Sequence, residues 1–159
     1  MIDEKIFPFL AEKGHVISLV GGGGKTTMMY TLARELEKEH SVAVMTTTHI
    51  AVPRHIPTLL NPTEEDARLL IKKGRAVCIA KLGEEKKLCP SDIAVEKLCE
   101  MAEYVIIEAD GSKGLPLKAH DKNEPVIPPG SKVIYVVGAD GIGTVSYTHL
   151  RAHETLANL

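Results

Sequence analysis

The residues Gly21-Gly22-Gly23-Gly24-Lys25-Thr26-Thr27 have the types that hold a phosphate chain. Glycines let the backbone bend so that successive N–H groups turn into one concavity, and no Cβ keeps a phosphate at a distance. In such a loop Lys25 would rest on the β and γ phosphates and the Thr26 hydroxyl on Mg2+. A helix opening at Thr27 adds the equivalent of roughly half a positive charge at its N-terminus. The full Walker spacing asks for glycine where this chain has Leu19, so the loop fits the shorter pattern G-x-x-G-K-T from Gly21 to Thr26, the spacing of Mur-ligase-type phosphate loops. The bland alternative is a hinge that happens to precede Lys-Thr-Thr. Each ordered glycine costs roughly 0.5–1 kcal/mol relative to alanine, a liability that a hinge does not offset, so nucleotide phosphate binding is the expectation.

Binding a polyphosphate is not turnover, which needs an acid to hold the metal and a group to sense the γ phosphate. Tyr104-Val105-Ile106-Ile107-Glu108 reads as a buried strand ending in a carboxylate, the place where such proteins hold Mg2+. Glu108-Ala109-Asp110-Gly111 has the acid-x-x-Gly spacing of switch-type NTPases, which puts the Gly111 N–H near the γ phosphate. Asp110 is a second candidate for the metal or for orienting the attacking water. Lys25, Glu108 and Asp110 are therefore the catalytic candidates. Thr46-Thr47-Thr48-His49, at a strand end, adds a hydroxyl for metal or phosphate, so the metal candidates are Thr26, Glu108, Asp110 and Thr47. An ordinary strand-end preference of threonine explains the same run equally well. In the long Pro-rich stretch from 111 to 131, Lys113 is the best second cation; Lys118 is a weaker one, and His120 and Lys122 read as solvated. His49 and His55 lack a fixed ligand spacing and read as surface residues.

These groups need a scaffold that brings them to one edge. Residues 3–12 have a helical pattern ending at Gly14, and 15–20 form a β-branched run cut off by the glycines. In 27–40, Met29, Leu32, Ala33 and Leu36 recur at helical spacing, and 41–46 is the next strand. Three prolines make 47–62 an irregular connection. A helix capped by Thr63 runs to Gly74, a strand covers 75–81, a charged turn 83–89 and a helix begun by Ser91 covers 91–102. Strands at 104–108 and 132–137 complete the pattern. Alternating strands and helices predict an α/β fold, a P-loop NTPase-like sandwich with a mostly parallel sheet.

The 159 residues are 44% hydrophobic, 25% charged and 4% aromatic, which excludes a disordered or fibrous chain. With 19 Lys plus Arg against 21 Asp plus Glu, the net charge of -2 gives no basic field for nucleic acid or an anionic membrane. Acids stand where a signal peptide would have bases, and no apolar run approaches the roughly 20 residues of a membrane helix. Cytoplasmic placement is expected. Cys78, Cys89 and Cys99 are too widely spaced for a metal or redox pair.

The segment Val145-Ser-Tyr-Thr-His-Leu-Arg-Ala-His-Glu-Thr155 resembles the in-frame translation of a transposase adapter from DNA sequencing libraries. On that reading residues 1–144 are the phosphate-loop domain, an N-terminal fragment truncated at its C-terminus, and 145–159 are a non-native tail. Within 15–143, Val20-Gly-Gly-Gly-Gly-Lys-Thr-Thr, Thr46-Thr-Thr-His, Ile107-Glu-Ala-Asp-Gly-Ser-Lys-Gly-Leu-Pro-Leu-Lys-Ala, Glu124-Pro-Val-Ile-Pro and Val136-Val-Gly-Ala-Asp-Gly-Ile-Gly together resemble the family of selenium-dependent hydroxylase accessory proteins, often labelled YqeC. The resemblance implies a cytoplasmic P-loop protein that assists maturation of selenium-dependent molybdenum hydroxylases, with one of those hydroxylases or its cofactor-maturation proteins as partner. A Mg2+-dependent NTPase is the first expectation; a small-molecule kinase or Mur-like ligase is the second, and a nucleotide-sensing partner protein with negligible turnover the third. The nucleotide is ATP or GTP, and the lack of an Asn-Lys-x-Asp guanine motif favours ATP.

Overall fold

The computed structural model describes residues 15–84, 87–111, 115 and 125–139. The expected helix over 3–12 and the segment 145–159 lie outside the described residues. Strand β1 (His15–Gly21) leads to helix α1 (Lys25–Leu36) and strand β2 (Val42–Thr46). Then follow β3 (Thr58–Leu60), α2 (Glu64–Ile71), β4 (Val77–Leu82), β5 (Leu88–Cys89), α3 (Val95–Cys99), β6 (Tyr104–Glu108) and β7 (Lys132–Val136). The sheet runs β3-β4-β2-β6-β1-β7 with every pair along that path parallel, and β5 lies antiparallel on β4. The expected α/β architecture with a mostly parallel sheet is what the chain forms.

A parallel sheet linked by helices is buried on both faces, and the two-residue period of each strand sorts its side chains between them. Ile17, Leu19, Val42, Val44, Tyr104 and Ile106 share one core with Met29, Leu32, Ala33 and Leu36 of α1. Val20, Ala43, Met45, Val105 and Ile107 share the other with Ala67 and Ile71 of α2 and Leu98 of α3. The apolar stripe of α1 thus comes from the spacing seen in the sequence, and its seat on the sheet fixes the loop before it.

Several boundaries differ from expectation. Helix α1 begins at Lys25 and stops at Leu36, after which Lys38 and Glu39 N–H groups bond only three residues back, at 3.4 and 3.2 Å. Ser91 does not start a helix: its hydroxyl accepts the Ile93 N–H at 3.1 Å in a local turn, and α3 begins after Ala94. Two short strands were unexpected. β3 sits between Pro57 and Pro62, tolerable because it is the last strand of the sheet path and needs only one ladder. β5 arises inside the charged turn, where Leu88 is fully buried and bridges Ile50.

Topology places the candidate site. From β1 the chain crosses to β2, leaving a gap that β6 fills; from β6 it crosses β1 to reach β7 on the other side. Ligands of open α/β sheets bind outside the carboxyl ends of strands at such a switch in direction, here the carboxyl end of β1.

Candidate functional site

The glycine run is the exit of β1. Gly21 has φ +107°, and a Cβ there would lie 2.5 Å from the Val136 carbonyl oxygen, so both conformation and space demand glycine. Gly24 has φ +97° and stands at the N-cap of α1. Gly22 and Gly23 lack a positive φ; their N–H groups donate to the Val136 and Leu115 carbonyls, each at 2.8 Å. Two loop amides are thus tied to neighbouring backbone. No side chain caps α1 and its first turn holds no acid, so the amides of that turn leave the helix end electropositive.

Lys25 is buried, at 1% exposure, beneath the loop. Its Nζ donates to the Gly21 carbonyl at 2.7 Å and the Gly22 carbonyl at 3.0 Å, and it pairs with Asp110 Oδ1 at 2.9 Å. The other Asp110 oxygen, Oδ2, accepts the Gly21 N–H at 2.8 Å. The register explains the meeting: Leu19 is opposite Glu108, and the Ala109 N–H donates to the Leu19 carbonyl at 2.9 Å, so Asp110 arrives beside Gly21. Two of the ammonium's three donors go to loop carbonyls and its charge pairs with Asp110, which binds the loop to the end of β6.

Thr26 and Glu108 form a second pair, the Thr26 hydroxyl donating to Glu108 Oε2 at 2.7 Å. Burial, the largest cause, pushes the Glu108 carboxyl above its ordinary pKa, against the Thr26 hydrogen bond and the Lys25 charge, and the Asp110 charge adds to the rise. A desolvated carboxylate beside a hydroxyl is an oxygen donor set suited to a hard divalent cation. Thr46 and Thr47 are close by, but their hydroxyls donate to the Glu108 main-chain carbonyl at 3.1 and 3.5 Å, not to its carboxylate. Asp110 faces Lys25 rather than Thr26. Among the described residues no group of three or more His, Cys, Asp or Glu is arranged to hold a metal.

Of the residues singled out in the sequence, Gly21 to Thr26, Thr47, Glu108, Asp110 and Gly111 thus gather at the carboxyl edge of β1, β2 and β6, with Gly111 half-buried; the Thr27 side chain is exposed and faces a groove along α1 instead. Lys113, Lys118, His120 and Lys122 lie outside the described residues. His49 and His55 are exposed, as expected. The carbonyls of Val136 and Leu115, which hold the loop, had no sequence signal because any residue supplies a carbonyl. Thr46 had one, its place at a strand end, but its hydroxyl orders backbone rather than reaching into the site.

Residues 17–151 match the family described as YqeC protein, a span that reaches into the segment set apart from 145 onward. The chain is similar to the "Uncharacterized protein YqeC" of Escherichia coli (strain K12), 36% identical over 141 residues, which covers 80% of this chain and 53% of that protein. The chain therefore spans about half the length of the curated relative it matches. No solved structure matches.

Proposed function

The chain belongs to the YqeC family, and from that premise we propose that it is a Mg2+-dependent nucleoside triphosphate-binding protein, an NTPase that assists the maturation of selenium-dependent molybdenum hydroxylases. The observation that carries this reading is the pairing of a buried Lys25 under a glycine loop with Thr26 and Glu108 at the adjoining strand end. A triphosphate entering the loop meets the uncapped first turn of α1, and Lys25 exchanges the Gly21 and Gly22 carbonyls for phosphate oxygens while Asp110 keeps it charged. Thr26 and Glu108 would hold Mg2+, which would offset the negative charge of the phosphates. ATP is favoured over GTP on the motif argument alone.

A second reading, a nucleotide sensor with negligible turnover, draws on the loop amides of Gly22 and Gly23. A phosphate that takes them must release the Val136 and Leu115 carbonyls, so nucleotide entry is linked to the edge of the sheet. Steady-state phosphate release in Mg2+ separates the readings. The NTPase reading expects turnover by the unsubstituted protein and, in Glu108→Gln, retained nucleotide binding with turnover lowered about a hundredfold or more. Equal rates in the two proteins remove Glu108 from the site, and binding without turnover in the unsubstituted protein selects the sensor.

A further inference from the structure

A second concavity of about 260 Å3 lies against α1, lined by Thr27, Tyr30, Thr31 and Arg34 of the helix and by residues 52–56. The four helix residues are spaced i, i+3, i+4, i+7 and make one stripe, distinct from the buried stripe that seats the helix. The facing segment is an arch with fixed ends, since Ile50 and Ile56 are both buried in the core under α1. The Tyr30 hydroxyl donates to the Ala51 carbonyl at 2.9 Å and fastens the arch to the helix.

The charge in this cavity has one sign. Arg34, Arg54 and His55 line it, and no Asp or Glu does. Among the described residues neither guanidinium makes an ion pair or hydrogen bond, although the exposed or half-buried Lys38, Lys81 and Lys97 elsewhere on the molecule pair with Glu35, Asp92 and Glu100. Two forked cations facing one space without a counter-charge repel each other and are stabilised by an anion between them.

We infer that this cavity is a binding site for a small organic oxyanion, a carboxylate or a phosphate ester, separate from the phosphate loop. Its 260 Å3 equals the volume of about nine waters, room for a small molecule. Arg34 and Arg54 grip the oxyanion and the Thr27 hydroxyl donates to it, while the Thr31 hydroxyl is spent on the Thr27 carbonyl at 2.9 Å; Val52, Pro53 and Ile56 line the wall for a short carbon body. Thr27 follows Thr26, so the oxyanion sits next to the first turn of α1, within the same helix that carries the Thr26–Glu108 pair.

Calorimetric titration of the full chain with inorganic phosphate and with succinate tests the site. A Lys25→Ala/Asp110→Asn background, which removes the loop ammonium together with its buried counter-charge, separates it from the phosphate loop. The expected result is one-to-one binding of at least one probe in that background, weakened about tenfold or more by Arg34→Gln with Arg54→Gln and unchanged by Lys72→Gln at the end of α2. Tighter phosphate binding identifies a phosphate ester, and tighter succinate binding a carboxylate. Because both arginines are exposed, their replacement leaves the melting temperature in place, and a melt verifies that the variants are folded. Failure of both probes to saturate, loss of binding in the Lys25 background, or unchanged affinity in the double arginine variant overturns the inference. None of these outcomes bears on nucleotide binding at the loop.

Discussion

Lys25 and Asp110 resolve each other's burial, for the ammonium is 1% exposed and the carboxylate fully enclosed. Glu108, one residue before Ala109, is under a different tension: burial raises its pKa even with Thr26 donating to it. A carboxyl whose pKa is raised on folding holds its proton more tightly in the folded chain than in the unfolded one. Its contribution is fully favourable below the ordinary carboxylate range and is lost as pH rises through the window up to the raised value. Glu108→Gln keeps an acceptor for Thr26 and removes that loss. Thermal melts in metal-free buffer should therefore show Tm of the Gln variant gaining on that of the unsubstituted chain as pH rises through the window. The opposite trend, the unsubstituted chain gaining as pH rises, contradicts the buried-carboxylate account.

At the scale of elements, the end of β1 is fixed by its neighbour. Gly21 is opposite Val136 of β7, and a Cβ at Gly21 strikes that residue's carbonyl, whereas one at Gly23 meets only the Leu115 carbonyl at 3.8 Å. Gly21→Ala should lower Tm by several degrees or abolish folding, while Gly23→Ala should melt with the unsubstituted protein, as circular dichroism would record; equal effects would mean the loop is not held as described. Of four glycines that look alike in the sequence, then, only Gly21 and Gly24 need their conformation. Elements whose pattern was dictated by burial, β1, α1, β2 and β6, were legible because every second or every third and fourth side chain had to face a core. β3 and β5 were not, since each is a short ladder on β4 whose existence depends on partners distant in sequence. The helix begun by Ser91 failed for a local reason: its hydroxyl satisfied a nearer amide.

Across the whole molecule, the reversal of strand order beside β1 collects residues that the sequence spreads from Gly21 to Gly111. Their gathering was legible because a glycine loop after a buried strand and a carboxylate ending another have one shared place in an open α/β sheet. Which partner each would choose was not legible. Lys25 reads as a phosphate ligand, yet its neighbours are Asp110 and two loop carbonyls, because register along β1 and β6 sets those distances. The Arg34 and Arg54 cavity was hidden for the same reason, being split between a helix and a proline-broken connection.

On the function proposed above, the buried ammonium and the glycine loop bind a nucleoside triphosphate. Lys25→Ala alone strands the Asp110 charge in the interior, a cost of about 3–5 kcal/mol that would confuse unfolding with lost binding. The direct measurement is therefore a titration of ATP and GTP with Mg2+ into the unsubstituted protein and into a folded Lys25→Ala/Asp110→Asn variant. Saturable binding that weakens about tenfold to a hundredfold in the variant is the predicted result. Equal affinity in both proteins, or no binding of either nucleotide to the unsubstituted protein, would contradict it.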